Sequence, residues 1–191
     1  MAIAVTSGSS NGNTSGATLG VRGTAVPSGA AIVVAFCDRS TSIGTQSITD
    51  DASNSYSSIT SADLNGLIAN GFLVAYRADN VAALTSLQFI TYTKAVTGST
   101  AEGKYFYVTG QKNPSLDSGG TNSATGSSTS PSVAGGTPGT AGKQSCALAF
   151  CCLWGTCAGR DSRTCNRMRS YDRVWSALAI GIVRWRYALQ L

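Results

Sequence analysis

Ala30-Ala31-Ile32-Val33-Val34-Ala35-Phe36 is the stretch on which the fold turns. The run is continuous rather than alternating and too short for an ordinary helix, which fits a strand buried on both faces. Its β-branched residues Ile32, Val33 and Val34 suit a pleated surface. Pro27-Ser28-Gly29 sets it off from what precedes, and Cys37 closes it, expected here to pack as a small hydrophobe.

Outward from that run the chain repeats a short strand-like segment followed by turn chemistry. Upstream, Thr18-Leu19-Gly20-Val21-Arg22 alternates. Downstream, Ser47-Ile48-Thr49 leads into Asp50-Asp51-Ala52-Ser53-Asn54, whose Asx side chains close turns on their own backbone, and a strand over Tyr56–Thr60 follows. Asn70-Gly71 is a hairpin signal, after which Phe72, Val74 and Tyr76 share one face. Leu87, Phe89 and Thr91 alternate with Gln88, Ile90 and Tyr92, and Lys104–Thr109 is a further strand candidate. Strands this short, spaced by turns, predict an antiparallel sandwich or barrel.

Composition agrees with the pattern and narrows the chemistry. The chain has 191 residues, enough for one domain with an appendage, and 42% of them are hydrophobic, too many for a uniformly disordered chain. Leu, Glu, Lys and Gln, the builders of long helices, are scarce. There is no histidine, which removes Ser–His–Asp and Cys–His catalysis and histidine-ligated metals. Glu102 is the one glutamate, and charged residues make up 12%, about half the usual share. Enzymatic function is not expected. No apolar run reaches the roughly 18 residues that span a bilayer, and Met1–Thr6 reads as neither a signal peptide nor a membrane anchor.

Split by position, the charge shows a junction. Residues 1–142 carry six Lys/Arg and seven Asp/Glu, whereas residues 143–191 carry eight Lys/Arg and two Asp. The last quarter also holds Trp154, Trp175 and Trp185 and five of the six cysteines. Four segments are expected: an extended N-terminal arm over 1–16, a β-sandwich over 17–112, a Ser/Thr/Gly/Pro-rich loop over 113–142, and a Cys/Arg/Trp-rich end over 143–191 of closing strands or an atypical tail.

Several of these stretches resemble a β-sandwich, jelly-roll-like domain that recurs in bacteriophage virion proteins and bacterial surface proteins. The likeness is carried by Pro27-Ser28-Gly29 before Ile32-Val33-Val34-Ala35, by Ile48-Thr49-Asp50-Asp51-Ala52-Ser53-Asn54-Ser55-Tyr56, and by Val74-Ala75-Tyr76-Arg77-Ala78-Asp79-Asn80-Val81-Ala82. Asn113-Pro114-Ser115-Leu116-Asp117 and Thr125–Ser132 resemble its later loop, so the match spans about residues 17–142. The resemblance implies a virion structural role, with copies of the chain and other capsid or tail proteins as partners, in a particle assembled in the host cytoplasm. A carbohydrate- or receptor-binding module is the second expectation, with Tyr76, Tyr92, Tyr105 and Tyr107 either stacking on sugar rings or packing across strands.

Beyond Gly142 the likeness stops. The family continues with strands of Ala, Val, Gly and Thr, whereas this chain gives Cys146-Ala147-Leu148-Ala149-Phe150-Cys151-Cys152-Leu153-Trp154. Advanced by one base, the codons for Cys151-Cys152-Leu153-Trp154 encode Val or Ala twice, one further residue, then Gly, so a frame shift is one origin of the junction.

Other constellations compete with plainer uses. Cys146, Cys151, Cys152, Cys157 and Cys165 lack the paired spacing of a thiolate zinc site, Cys152-x4-Cys157 coming nearest, and are expected as incidental thiols ahead of disulfides or metal. Arg160, Arg163, Arg167, Arg169 and Arg173, with Tyr171 and Trp175, form a basic–aromatic cluster suited to docking on an acidic subunit, with nucleic acid a lesser expectation. Asp50, Asp51 and Asn54 offer oxygen ligands to calcium, but turn formation is the expected use. A Ser–Lys pair between Ser40 or Ser57 and Lys94 or Lys104 has no support in spacing. No cofactor site is expected. Mass spectrometry of the intact protein tests the junction: a mass equal to residues 1–191 as written is expected of a continuous frame, and any other C-terminal mass identifies a shift.

Overall fold

The computed structural model describes residues 4–13, 16–40, 46–63, 72–110, 115–126, 144–154 and 177–187. Within them the chain is all-β, with no helix and hence none long and apolar enough to cross a membrane. The strands are β1 (Ala4–Asn13), β2 (Thr18–Val21), β3 (Ala31–Asp38), β4 (Ser47–Asp50), β5 (Ser57–Asp63) and β6 (Phe72–Ala78). They continue with β7 (Ile90–Thr93), β8 (Ala101–Thr109), β9 (Ser115–Gly126), β10 (Gln144–Trp154) and β11 (Ala177–Tyr187).

A five-stranded sheet runs β1-β8-β3-β6-β5, and a three-stranded sheet runs β2-β7-β4. All their pairs are antiparallel. The pairs β1–β8, β2–β7 and β3–β6 nest inside one another. The connections follow the same nesting. Lys94 N donates to Ala17 O at 2.8 Å and Gly98 N to Gly16 O at 3.3 Å, joining the β1–β2 link to the β7–β8 link. Val26 and Leu84 exchange backbone bonds of 2.8 and 2.9 Å, joining the β2–β3 link to the β6–β7 link. A third sheet, β10-β11-β9, is built from the end of the chain, and β9 and β11 come alongside β5 and β6.

Strand β3 is buried along its whole length, as its continuous apolar run requires. Ile32, Val34 and Phe36 face a core shared with Leu19 and Val21 of β2 and Ile90 and Tyr92 of β7. Burying such side chains contributes roughly 1.5–3 kcal/mol each before ordering entropy is set against it. Phe36 and Tyr92 stack across the gap between the sheets, centroids 4.5 Å apart and planes 13° from parallel. On the far face of β3, Val33, Ala35 and Cys37 are buried as well, beside Leu73 and Ala75 of β6.

Two glycines exist for their aromatic neighbours. Gly103 stands opposite Phe36 on β8, and a Cβ there would overlap the phenylalanine ring. Gly8 lies where the β1–β8 register slips between Ser7 and Ser10, and lets the edge strand close over Tyr105. The Tyr105 hydroxyl accepts from Thr24 N at 2.9 Å and donates to Thr24 O at 2.8 Å, pinning the β2–β3 link.

Three stretches add detail to the pattern read from sequence. The stretch expected as an N-terminal arm is, over Ala4–Asn13, the edge strand β1. Part of the expected Ser/Gly loop is β9, paired with β11. In both, a neighbouring strand supplies backbone partners, so Ser- and Gly-rich sequence forms strands that its own propensity does not favour. Of the alternating stripe at 87–92, only Ile90 and Tyr92 turn inward; Leu87 is 73% exposed and the strand starts at Ile90.

Replacing Gly103 with Ala is expected to lower stability by about 1–3 kcal/mol in denaturant unfolding, because the added methyl overpacks the Phe36 ring. Phe36→Leu in the G103A background should recover part of that loss. An unchanged midpoint in G103A would show that the two strands do not meet there.

Candidate functional site

Two buried carboxylates organise the polar interior, and each is held by a tyrosine. Asp50, at the end of β4, accepts from Ala52 N at 3.0 Å and Asn54 N at 2.9 Å through Oδ1. Its Oδ2 accepts from Asn54 Nδ2 at 2.9 Å and the Tyr56 hydroxyl at 2.8 Å. The left-handed Ser53 (φ 59°) completes this turn. Asn54 then clamps the β6–β7 link: its Oδ1 accepts from Ala82 N at 2.7 Å and its Nδ2 donates to Ala82 O at 3.2 Å. Asp51 accepts from Phe89 N at 2.8 Å, and the Arg22 guanidinium caps the Phe89 ring 4.5 Å from its centroid. The oxygens weighed as calcium ligands are thus acceptors of N–H and O–H groups from the turn, from Tyr56 and from the β6–β7 link.

The second carboxylate was not singled out from sequence. Asp38 ends β3 with no exposed surface, accepting from the Tyr92 hydroxyl at 3.0 Å and from Ser40 N at 3.0 Å. Lys94, two residues beyond Tyr92, is also buried, and its ammonium donates to the Ser99 carbonyl. Desolvation pulls the Lys94 amine below its ordinary pKa, with the Asp38 charge working against that shift. Burial, reinforced by the neighbouring carboxylate, drives the phenols of Tyr92 and Tyr56 far above their usual range. A phenol so held stays protonated at any physiological pH, so each acts as a fixed donor that ties down a buried acceptor. Asp38, Tyr92 and Lys94 are the one convergence of Asp, Tyr and Lys among the described residues, and its members are sealed inside the protein.

The aromatic residues considered for sugar stacking are core residues in the main. Tyr92 and Tyr105 are fully buried, and Tyr76 and Tyr107 are half-buried against the same cluster. Arg160, Arg163, Arg167, Arg169, Tyr171, Arg173 and Trp175 lie outside the described residues. Cys37 departs from expectation: it is disulfide-bonded, and the other five cysteines all fall between 146 and 165. Sequence spacing did not indicate it, since no other cysteine lies within a hundred residues of Cys37.

Among the described residues, two long uncharged strands end their sheets with no further strand paired to them. Strand β1 ends one side of the five-stranded sheet and contains no charged residue and no proline over its ten residues. Strand β10 ends one side of the C-terminal sheet and, over eleven residues, has no charge, glycine or proline. Exposed edges are ordinarily guarded by charge, proline or brevity, because their free N–H and C=O groups template pairing with another chain. No family model, curated protein or solved structure matches this chain.

Asp79 supplies a test of the interior electrostatics. Its carboxyl lies 3.3 Å from Arg77 Nη2, yet burial outweighs that pull and raises its pKa above the ordinary 3.8. Its Oδ1 is buried with no hydrogen-bond partner among the described residues. The native state therefore holds this proton more tightly than the unfolded chain, and stability is lost as pH rises from the unfolded value through the raised one. Asp79→Asn removes that loss. The variant should melt above the parent at pH 7, and the gap should close as pH falls below about 4, where both side chains are neutral. A gap independent of pH would contradict this account.

Proposed function

We propose that this chain is a non-enzymatic structural protein of a bacteriophage virion, a capsid decoration or cement subunit or part of a fibre, acting by adhesion to neighbouring proteins. The observation that carries the reading is the pair of long, uncharged edges, β1 and β10. Such edges are a hazard for a free monomer and an asset for a subunit whose neighbours complete its sheets. The polar clusters point the same way: Asp38, Asp50, Tyr56 and Tyr92 are committed to turns and core, where they stiffen a body that works through its surface.

The nested strand pairs support the finer description as a jelly-roll-like sandwich. A long antiparallel hairpin rolled over a core pairs first strand with eighth, second with seventh and third with sixth, and adds contacts between third and eighth and between fourth and seventh. Those pairs are present here. Strand β5 departs from the simplest roll, pairing with β6 where that scheme would join it to β4. The resemblance of residues 17–142 to virion sandwich domains adds the cellular setting.

The test is made on particles. Virions purified from the phage or prophage that carries this gene should contain the chain in many copies, by mass spectrometry, with density for it lying against other subunits in cryo-electron microscopy. Absence from the particle, or turnover of a substrate by the purified chain, would overturn the reading.

A further inference from the structure

We propose that two copies of this chain join through strand β10, paired antiparallel with its own copy about a twofold axis at Ala149. The inference deepens the adhesive reading by naming a partner for one of its edges.

Strand β10 pairs with β11 in an unbroken register from Gln144↔Tyr187 to Trp154↔Ala177. The strand order places it at the end of its sheet, so its other edge has no partner among the described residues. The other long edges are interrupted. The β1 ladder slips between Ser7 and Ser10, the β5 ladder slips between Ser58 and Thr60 and ends on Asp63, and the ladder holding β9 slips between Val183 and Trp185 and includes Asp117. Slips and charges twist or repel an incoming strand, and β10 has neither.

The choice of a second copy follows from charge and register. A strand without charge can oppose itself without like-charge repulsion, which directly opposed residues otherwise suffer. Pairing about Ala149 sets Leu148 opposite Phe150, Ala147 opposite Cys151, and Cys146 opposite Cys152 of the second copy. Over the central seven residues no polar side chain opposes an apolar one, and Cys146 and Cys152 meet each other; at the ends Ser145 faces Leu153 and Gln144 faces Trp154. The face carrying residues 146, 148, 150, 152 and 154 continues as one face across the seam, and the two three-stranded sheets become one sheet of twice that width. Every strand pair in the molecule is antiparallel, and a twofold between identical strands requires that direction.

Sedimentation velocity on the full chain, with the Cys37 disulfide left intact and the intact mass verified as that of one uncrosslinked chain, reads the assembly directly. The wild type should sediment as a dimer. Ala149→Lys and Ala149→Glu each set two like charges face to face on the axis, so each alone should sediment as a monomer while keeping the wild-type far-UV circular dichroism. Mixing the two should restore a dimer, because Lys then faces Glu; the mixture also guards against mistaking a folding defect in either variant for loss of the interface. A wild type that stays monomeric to its solubility limit, a dimer that A149K leaves intact, or a mixture that does not reassociate would overturn the proposal. A chain found in virions yet monomeric alone would refute this seam and leave the adhesive reading standing, whereas a dimer absent from virions would do the reverse.

Discussion

The stack of Phe36 on Tyr92 is the contact on which the rest of the architecture depends. It is where the central strand of one sheet touches the central strand of the other, and it leaves no slack on either side. Gly103 is the residue opposite Phe36 because the ring occupies the place a side chain would take. The same tyrosine, past its ring, hands its hydroxyl to Asp38 at the end of the strand that carries Phe36. One residue of β7 thus fixes both the spacing of the sheets, through its ring, and the position of the end of β3, through its oxygen. An aromatic pair contributes about 0.5–1.5 kcal/mol beyond the area it buries, and a hydrogen bond to a buried charge about 1.5–3 kcal/mol. The second figure makes the tyrosine oxygen at least as important as the ring.

The legible parts of this fold were those whose burial has two sides. Strand β3 could be read directly, since only a strand covered on both faces has use for Ile32-Val33-Val34-Ala35-Phe36 without a polar interruption. Asp50 to Asn54 read as a turn for an equally local reason, as its oxygens close on amides two and four residues ahead. Strands β1 and β9 were not legible, because Ser, Gly and Asn carry little strand preference and the strand state comes from a distant partner's amides. Of the candidate site, Lys94 was noticed without its setting. Asp38 was passed over because a carboxylate after an apolar run looks like an ordinary strand end until Tyr92, fifty-four residues later, is seen to donate to it. The disulfide of Cys37 is the extreme case, a bond whose two ends share no local pattern.

A low charge content has opposite meanings inside and at the rim. Inside, it reflects a core in which carboxylates are few. The two most buried are held by several donors, four for Asp50 and a tyrosine and an amide for Asp38, while Asp79 keeps one oxygen without a partner among the described residues. At the rim, the same scarcity leaves β1 and β10 without the lysines that monomers place on their edges. A sequence selected for life as a free monomer would be under pressure to charge those rims and under none to alter the core. The uncharged rims are the feature on which the proposed adhesive role rests.

The C-terminal sheet argues for itself through its register. On the face shared by residues 146, 148, 150, 152 and 154 of β10, the residues across on β11 are Trp185, Val183, Gly181, Ala179 and Ala177. The large positions Phe150 and Trp154 therefore stand opposite Gly181 and Ala177. On the other face the sizes reverse, Ala147 and Ala149 standing opposite Arg184 and Ile182. The match is local, since Leu148 stands opposite Val183, Cys151 opposite Ile180 and Leu153 opposite Leu178, all pairs of sizeable apolar residues. The basic stretch between the two strands differs in composition from either, so the two halves of this hairpin match each other better than they match the segment that joins them.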